Sequence, residues 1–205
     1  LVPIGDLLLF PKYKYCINIG GFSNISIKQN RGITAFDICP ANIVLNDICK
    51  ELNLEFDYNG NISRQGKIIP TLLKQLNQLD FYTKKVPKSL GREWVEENIF
   101  PILKNYNPED LLCTFCEHIA IQISKFLTDK SALFTGGGVL NSFLMDRITF
   151  HSKAKIIVPN KKLINFKESL IFAFLGVLRI RNEINCLQSV TGGDRDNCGG
   201  VIHQI

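Results

Sequence analysis

CINIGGFSNISIKQNRGITAFDICPAN, residues Cys16–Asn42, is the stretch whose reading decides the fold. Tyr15–Ile19 reads as a buried strand, and Gly20-Gly21 forms a turn whose backbone can approach a ligand more closely than a Cβ would allow. Ser26–Lys28 runs outward, Gly32 turns the chain, and Ile33–Phe36 returns toward Asp37. Asp37 therefore ends a strand beside the glycine turn. Two readings fit it: a carboxylate that activates a nucleophile near a phosphate, or an acid that caps the helix starting near Pro40.

The totals bound what surrounds this stretch. The chain has 205 residues, 45% hydrophobic and 21% charged, which suits one large or two small globular domains rather than disorder. Its longest apolar run, Ser169–Leu178, is too short for a membrane span, which needs roughly 18 to 20 residues. The opening LVPIGDLLLF holds Asp6 and no basic head, so it is a poor signal peptide; lacking an initiating Met, the sequence reads as a fragment. The net charge of +5 is scattered in pairs such as Lys84-Lys85 and Lys161-Lys162, an argument against nucleic acid. Seven cysteines lie mostly inside apolar patterns, as reduced core thiols of a cytoplasmic protein do, and Cys113-x-x-Cys116 has no second pair to complete a zinc site.

Working outward, residues 1–14 read as a strand end and a loop punctuated by Pro3 and Pro11, with Asp6 either a turn acid or a ligand-facing one. Ile43, Val44, Ile48 and Leu52 have helical spacing after Pro40, so strand, acid and helix N-terminus adjoin. Asp57–Gly66 is turn-rich and Ile69–Leu79 helical. In YTKKVPKSLGREWVEEN, Lys88, Arg92 and Glu93 either touch a ligand or cap the following helix. Asn107-Pro108-Glu109-Asp110 starts a helix that runs to about Phe126. Ala132–Thr135 is a strand, and Gly136-Gly137-Gly138 leads directly into a helix over Val139–Ile148, an arrangement able to cradle a nucleotide. Lys155–Val158 is a further strand. Asn165–Ile180 reads as a nearly all-apolar buried helix, whose Glu168 serves the helix dipole or faces a cleft. The glycine-rich tail SVTGGDRDNCGGVIHQI is either a returning loop or a frayed end. Alternating strands and helices after a hairpin-rich start give an α/β fold.

Six segments together resemble the anhydro-N-acetylmuramic acid kinase family of the actin-like and sugar-kinase superfamily: NIGGFSN (Asn18–Asn24), AFDICPAN (Ala35–Asn42), PKSLGRE (Pro87–Glu93), TGGGVLN (Thr135–Asn141), FKESLIFAFLG (Phe166–Gly176) and SVTGG (Ser189–Gly193). Each is loose alone; six in family order are specific. The resemblance implies a ribonuclease-H-like lobe of a two-lobed, cytoplasmic kinase, which uses ATP and Mg²⁺ to open a 1,6-anhydro amino sugar with water and phosphorylate the freed 6-hydroxyl in peptidoglycan recycling. It implies that residues 1–164 are the nucleotide-side lobe and 165–205 an interlobe helix with a return segment, the N-terminal lobe being largely outside this sequence.

By the same resemblance Asp37 is the base that activates water, and Gly20 and Gly21 face phosphate. Gly136, Gly137 and Gly138 form the adenosine-side loop with Asn141 just beyond, while Glu168 and Asn42 belong to the sugar side. It names no metal ligands; its partners are the sugar and ATP, with neither nucleic acid nor membrane, and a homodimer is compatible with it. Two departures stand out. The family pattern D-T-G-P-G-N is here Asp37-Ile38-Cys39-Pro40-Ala41-Asn42, and the S-G-T-S-x-D-G first phosphate loop is missing, so the isolated chain is expected to be inactive. The competing expectations are a catalytically incomplete nucleotide-binding or interaction module and a sugar kinase of different substrate.

Overall fold

The computed structural model describes residues 1–30 and 32–203. The chain order is α1 (Val2–Leu9), β1 (Tyr15–Ile19), β2 (Phe22–Lys28), β3 (Ile33–Pro40), α2 (Asn42–Lys50), α3 (Pro70–Asn77), α4 (Arg92–Asn98), α5 (Pro108–Ser124), β4 (Ser131–Thr135), α6 (Ser142–His151), β5 (Lys155–Ile157), α7 (Lys161–Ile180) and α8 (Gln188–Thr191). The strands form one five-stranded sheet in the order β3-β2-β1-β4-β5. β1, β2 and β3 are an antiparallel meander, whereas β4 pairs parallel to β1 and β5 parallel to β4.

The alternation of side chains sorts the sheet into two faces. Tyr15, Ile17, Ile19, Ile25 and Phe36 join Leu112, Phe115, Ile119 and Ile123 of α5 in the main core, with Val44 and Ile48 of α2 and Leu72 and Leu76 of α3. Cys16, Asn18 and Ser26 belong to the opposite face, where α1 and α7 lie; Ile4, Ile171, Leu175 and Leu178 make a second, small core there. Gly5 lets these helices approach, because a Cβ on it would lie 2.6 Å from Ile171. Buried between helices and sheet, Asp6 pairs with Lys167 at 2.7 Å and accepts a hydrogen bond from Ser26 Oγ at 2.8 Å.

Several sequence expectations change. Residues 2–9 are helical rather than extended: Pro3 occupies the first turn, where its missing N–H costs nothing. Asp6 is accordingly a buried ion-pair partner instead of a turn or ligand-facing acid. The glycine triplet does not open directly into an α-helix, because Gly137–Leu140 is a 3-10 turn and Asn141 caps α6 by accepting from Leu144 N–H at 2.9 Å. α7 begins at Lys161, capped by Asn160, and is not buried all round: Ile164, Lys167, Ile171, Leu175 and Leu178 face inward, whereas Phe166, Leu170, Phe172, Val177 and Ile180 are exposed. No helix among the described residues is long and apolar enough to cross a membrane.

Candidate active site

The glycine turn after β1 is sewn to the start of α2. Ala41 and Ile43 N–H both donate to Gly21 O, at 2.8 and 3.1 Å, and Asn42 N–H donates to Gly20 O at 3.1 Å. The first N–H groups of α2 are thus occupied by the turn's carbonyls, so this helix end is not the open anion site that its sequence position suggests. What remains available is the edge of the turn itself.

Beside it runs the turn after β4. Gly136 has φ +87°, and a Cβ on it would lie 2.5 Å from Ile19 O; one on Gly138 would meet Ile19 Cγ2 at 2.3 Å. Both are glycines so that this turn can hug β1. Gly137 differs: the nearest atom to its Cβ position is Asn42 Nδ2 at 3.9 Å, and the residue is exposed. Of the three, it is the one whose backbone is open to an approaching group.

Asp37 stands across the sheet from these turns. The register places Asn18 opposite Asn24 and Asn24 opposite Asp37, so two amides and one carboxylate form a row across β1, β2 and β3 on the α1/α7 face. An irregularity at Ser23/Asn24 leaves Ile38 unmatched next to Asp37, a bulge of the kind that re-aims a side chain. Leu90 N–H donates to Asp37 Oδ2 at 2.9 Å, and Asp37 N–H donates to Lys88 O at 2.9 Å. Among the described residues, the other carboxylate oxygen accepts no hydrogen bond. Burial raises the Asp37 carboxyl above the ordinary carboxylate range, and the Leu90 N–H offsets part of that rise.

Asn18, Gly20, Asn24, Asp37, Gly136 and Gly137 share one cleft of about 660 Å³ with Asn165, Lys167 and Glu168 of α7 and with Pro3 of α1. That volume is in the usual range for a small-molecule site, roughly 300–1,000 Å³. Of the residues singled out by sequence, Gly20, Asp37, Gly136, Gly137 and Glu168 meet in this cleft. Gly21, Asn42, Gly138 and Asn141 do not line it. Gly21 and Asn42 border it through the sewn turn; Gly138 is buried against Ile19, and Asn141 is committed to its cap.

The two lost glycines leave the cleft unobstructed, because Cys39 and Ala41 are both fully buried. Arg92 pairs with Glu96 at 2.7 Å on the surface of α4, and Lys88 turns inward, donating to Phe81 O at 2.9 Å. Neither side chain lines the main cleft, and the PKSLGRE segment instead reaches Asp37 through the Leu90 backbone. Sequence reading had no signal for that contact, since every residue but proline carries a backbone N–H. Asn18 and Asn24 did leave one: they lie in the quoted motif at positions that the antiparallel register pairs on one face.

An antiparallel meander that continues into parallel strands, with glycine turns after β1 and β4 opening on one cleft, is the α/β architecture of an actin- and hexokinase-type lobe. A solved structure with the same architecture is the activator of the 2-hydroxyisocaproyl-CoA dehydratase from Clostridium difficile with bound ADPNP; it covers 90% of this chain and 68% of its own, with a TM-score of 0.51 and 18% identity, a likeness of fold alone. The family model described as anhydro-N-acetylmuramic acid kinase matches residues 1–204, and the chain belongs to that family. It is 33% identical to the anhydro-N-acetylmuramic acid kinase of Aliivibrio fischeri over 99% of this chain and 60% of that one. It is 37% identical to that of Idiomarina loihiensis over 65% of this chain and 39% of the relative, and 30% identical to that of Vibrio cholerae over 91% and 54%. The chain thus spans little more than half the length of the curated relatives it matches.

Proposed function

We propose that this chain is the nucleotide-side part of a cytoplasmic kinase that opens 1,6-anhydro-N-acetylmuramic acid with water and phosphorylates its 6-hydroxyl, giving N-acetylmuramic acid 6-phosphate in peptidoglycan recycling. The observation that carries this reading is that Asp37 shares one cleft with Gly20, Gly136, Gly137 and Glu168. Residues 1–164 would form the lobe proper, with 165–205 as interlobe helix and return segment; α1, which packs on α7, belongs physically with that helix.

In this reading the backbone at Gly20 faces the phosphates and that at Gly137 the adenosine side, where a side chain would obstruct the nucleotide's approach. The fit of ATP rests on that open backbone. In this reading Mg²⁺ would arrive with the triphosphate. When bound, ATP with Mg²⁺ supplies the phosphoryl group and neutralises its charge. Asp37 takes the proton of water attacking the anomeric carbon, and its burial-raised basicity suits that task. Cleavage of the anhydro bridge releases the oxygen that then accepts the phosphoryl group, so hydrolysis and transfer occur on one molecule. Glu168, on the opposite wall of the cleft, contacts sugar hydroxyls.

The test is product analysis with the full-length protein that carries this chain, in ¹⁸O-labelled water. One labelled oxygen on the anomeric carbon and none in the phosphate is expected. Phosphorylation without label incorporation would mark a kinase of a different sugar.

A further inference from the structure

The loop that holds Asp37 is itself tethered by one side chain. Residues 83–87 and Ser89 are exposed, so little packing fixes this segment between Phe81 and Leu90. Lys88 is the exception. Its ammonium donates to Phe81 O at 2.9 Å and lies 4.4 Å from the centre of the buried Phe81 ring and 5.9 Å from that of Tyr82. A cation over aromatic faces gains more as it is desolvated, and here the same group also satisfies a main-chain carbonyl.

Both main-chain links to Asp37 leave from this anchored stretch: Lys88 O accepts from Asp37 N–H, and Leu90 N–H holds Asp37 Oδ2, each at 2.9 Å. The anchor continues inward. Tyr82 OH is 2.8 Å from His118 Nε2, and His118 Nδ1 is 2.9 Å from Asn77 Oδ1, which also accepts from Gln122 Nε2 at 2.6 Å. The charged and titratable groups facing Lys88 are Lys84, Lys125, Cys39 and Tyr82.

We propose that Lys88 is a positioning residue for Asp37: by fastening the exposed 83–90 loop to the Phe81 carbonyl and ring, it fixes the Leu90 N–H that holds one carboxylate oxygen and leaves the other for the reaction. Lys88 does not touch the carboxylate, and its own charge does not set the basicity of Asp37; it acts through the amide. The proposal rests on the reading of Asp37 as the catalytic base.

Three variants of the full-length protein test it: Lys88→Met, Lys88→Arg and Asp37→Asn. Lys88→Met is expected to lower kcat by about ten- to a hundredfold, the scale of one lost hydrogen bond to a charged group, with the KM for ATP changed less than about twofold. The acid limb of its kcat/KM profile moves to higher pH, because a carboxylate that loses an N–H donor becomes more basic. Lys88→Arg, which retains a cation and donor, restores most of the rate and the original limb. By NMR, the Leu90 amide proton follows the ionisation of Asp37 in the unaltered protein and ceases to do so in Lys88→Met.

An unshifted acid limb together with an unchanged Leu90 titration in Lys88→Met overturns the proposal. Should that variant fail to fold, Phe81→Leu, which keeps the carbonyl and removes the ring, is expected to shift the limb in the same direction, and no shift there overturns it equally. Normal turnover by Asp37→Asn would instead defeat the reading of Asp37 as base, while the Leu90 titration would still report on the tether.

Discussion

His118 makes a sharp prediction about acid stability. It is fully buried in α5, between Tyr82 OH and Asn77 Oδ1, and burial pushes its pKa down from 6.5 to about 3, with Lys125 adding to the effect. Asn77 Oδ1 already accepts from Gln122, so Nδ1 of the neutral ring donates to it and Nε2 accepts from Tyr82. The unfolded chain binds a proton near pH 6.5 that the folded chain refuses until about pH 3, so the His118 contribution is complete above 6.5 and is lost as pH falls toward 3. At about 1.36 kcal/mol per pH unit, the loss between pH 7.5 and pH 5 is about 2 kcal/mol. With a urea m-value of about 2 kcal/mol/M, this is a fall of about 1 M in the unfolding midpoint. The assay is urea unfolding at both pH values for the unaltered chain and for His118→Gln, whose side chain cannot titrate. Glu117 does not obscure the result: burial raises it, but hydrogen bonds from Arg147 and His151 hold it below the ordinary range, so its own loss falls at lower pH. An equal fall in both proteins would refute the reasoning.

Two further outcomes follow from the geometry. Gly136→Ala forces a left-handed φ on a residue whose Cβ would sit 2.5 Å from Ile19 O, and is expected to cost at least about 2 kcal/mol, seen as a Tm lower by about 5 °C or more, whereas Gly137→Ala leaves Tm unchanged and weakens ATP binding in the full-length protein. Lys167→Met strands the buried Asp6 carboxylate and should cost about 3–5 kcal/mol in chemical unfolding; adding Asp6→Leu should recover most of it, and a double variant no more stable than the single one would show that the pair is not the cause.

Much of this fold was legible because its elements carry local signals. The apolar run Tyr15–Ile19, the Asn107-Pro108 start of α5 and the glycine-bounded strand at Ala132–Thr135 each specify themselves without help from distant residues. α1 was not legible. Its helix is secured by Gly5 against Ile171 and by Asp6 with Lys167, partners about 160 residues away in sequence, while Pro3 locally mimics a loop signal. The 3-10 turn after Gly136 escaped for a related reason: Val139 and Leu140 fit a helical period, but contact with Ile19 and the Asn141 cap delay the helix to Ser142. α7 was legible as a helix but not as half-exposed, since apolar composition does not say which face finds a partner.

The candidate site divides in the same way. Asp37, Gly20, Gly136 and Glu168 belong to residue types whose chemistry or backbone freedom can be named in advance, and they meet in the cleft. The Leu90 amide and the Lys88 anchor involve main-chain groups and an inward-turned lysine, which become visible only once the 83–90 loop has a place. The exchange of two glycines near Pro40 looked threatening in sequence and is harmless to the cleft in space, because Cys39 and Ala41 point into the core.

The central claim is that Asp37 is the base, and turnover of the full-length Asp37→Asn variant measures it most directly. Asparagine keeps the size of the side chain and can still accept from Leu90 N–H, so ATP affinity is expected to stay within about twofold while kcat falls by about 10²–10⁴, the contribution of a positioned general base. A variant that binds ATP normally and turns over at the parent rate would contradict the account.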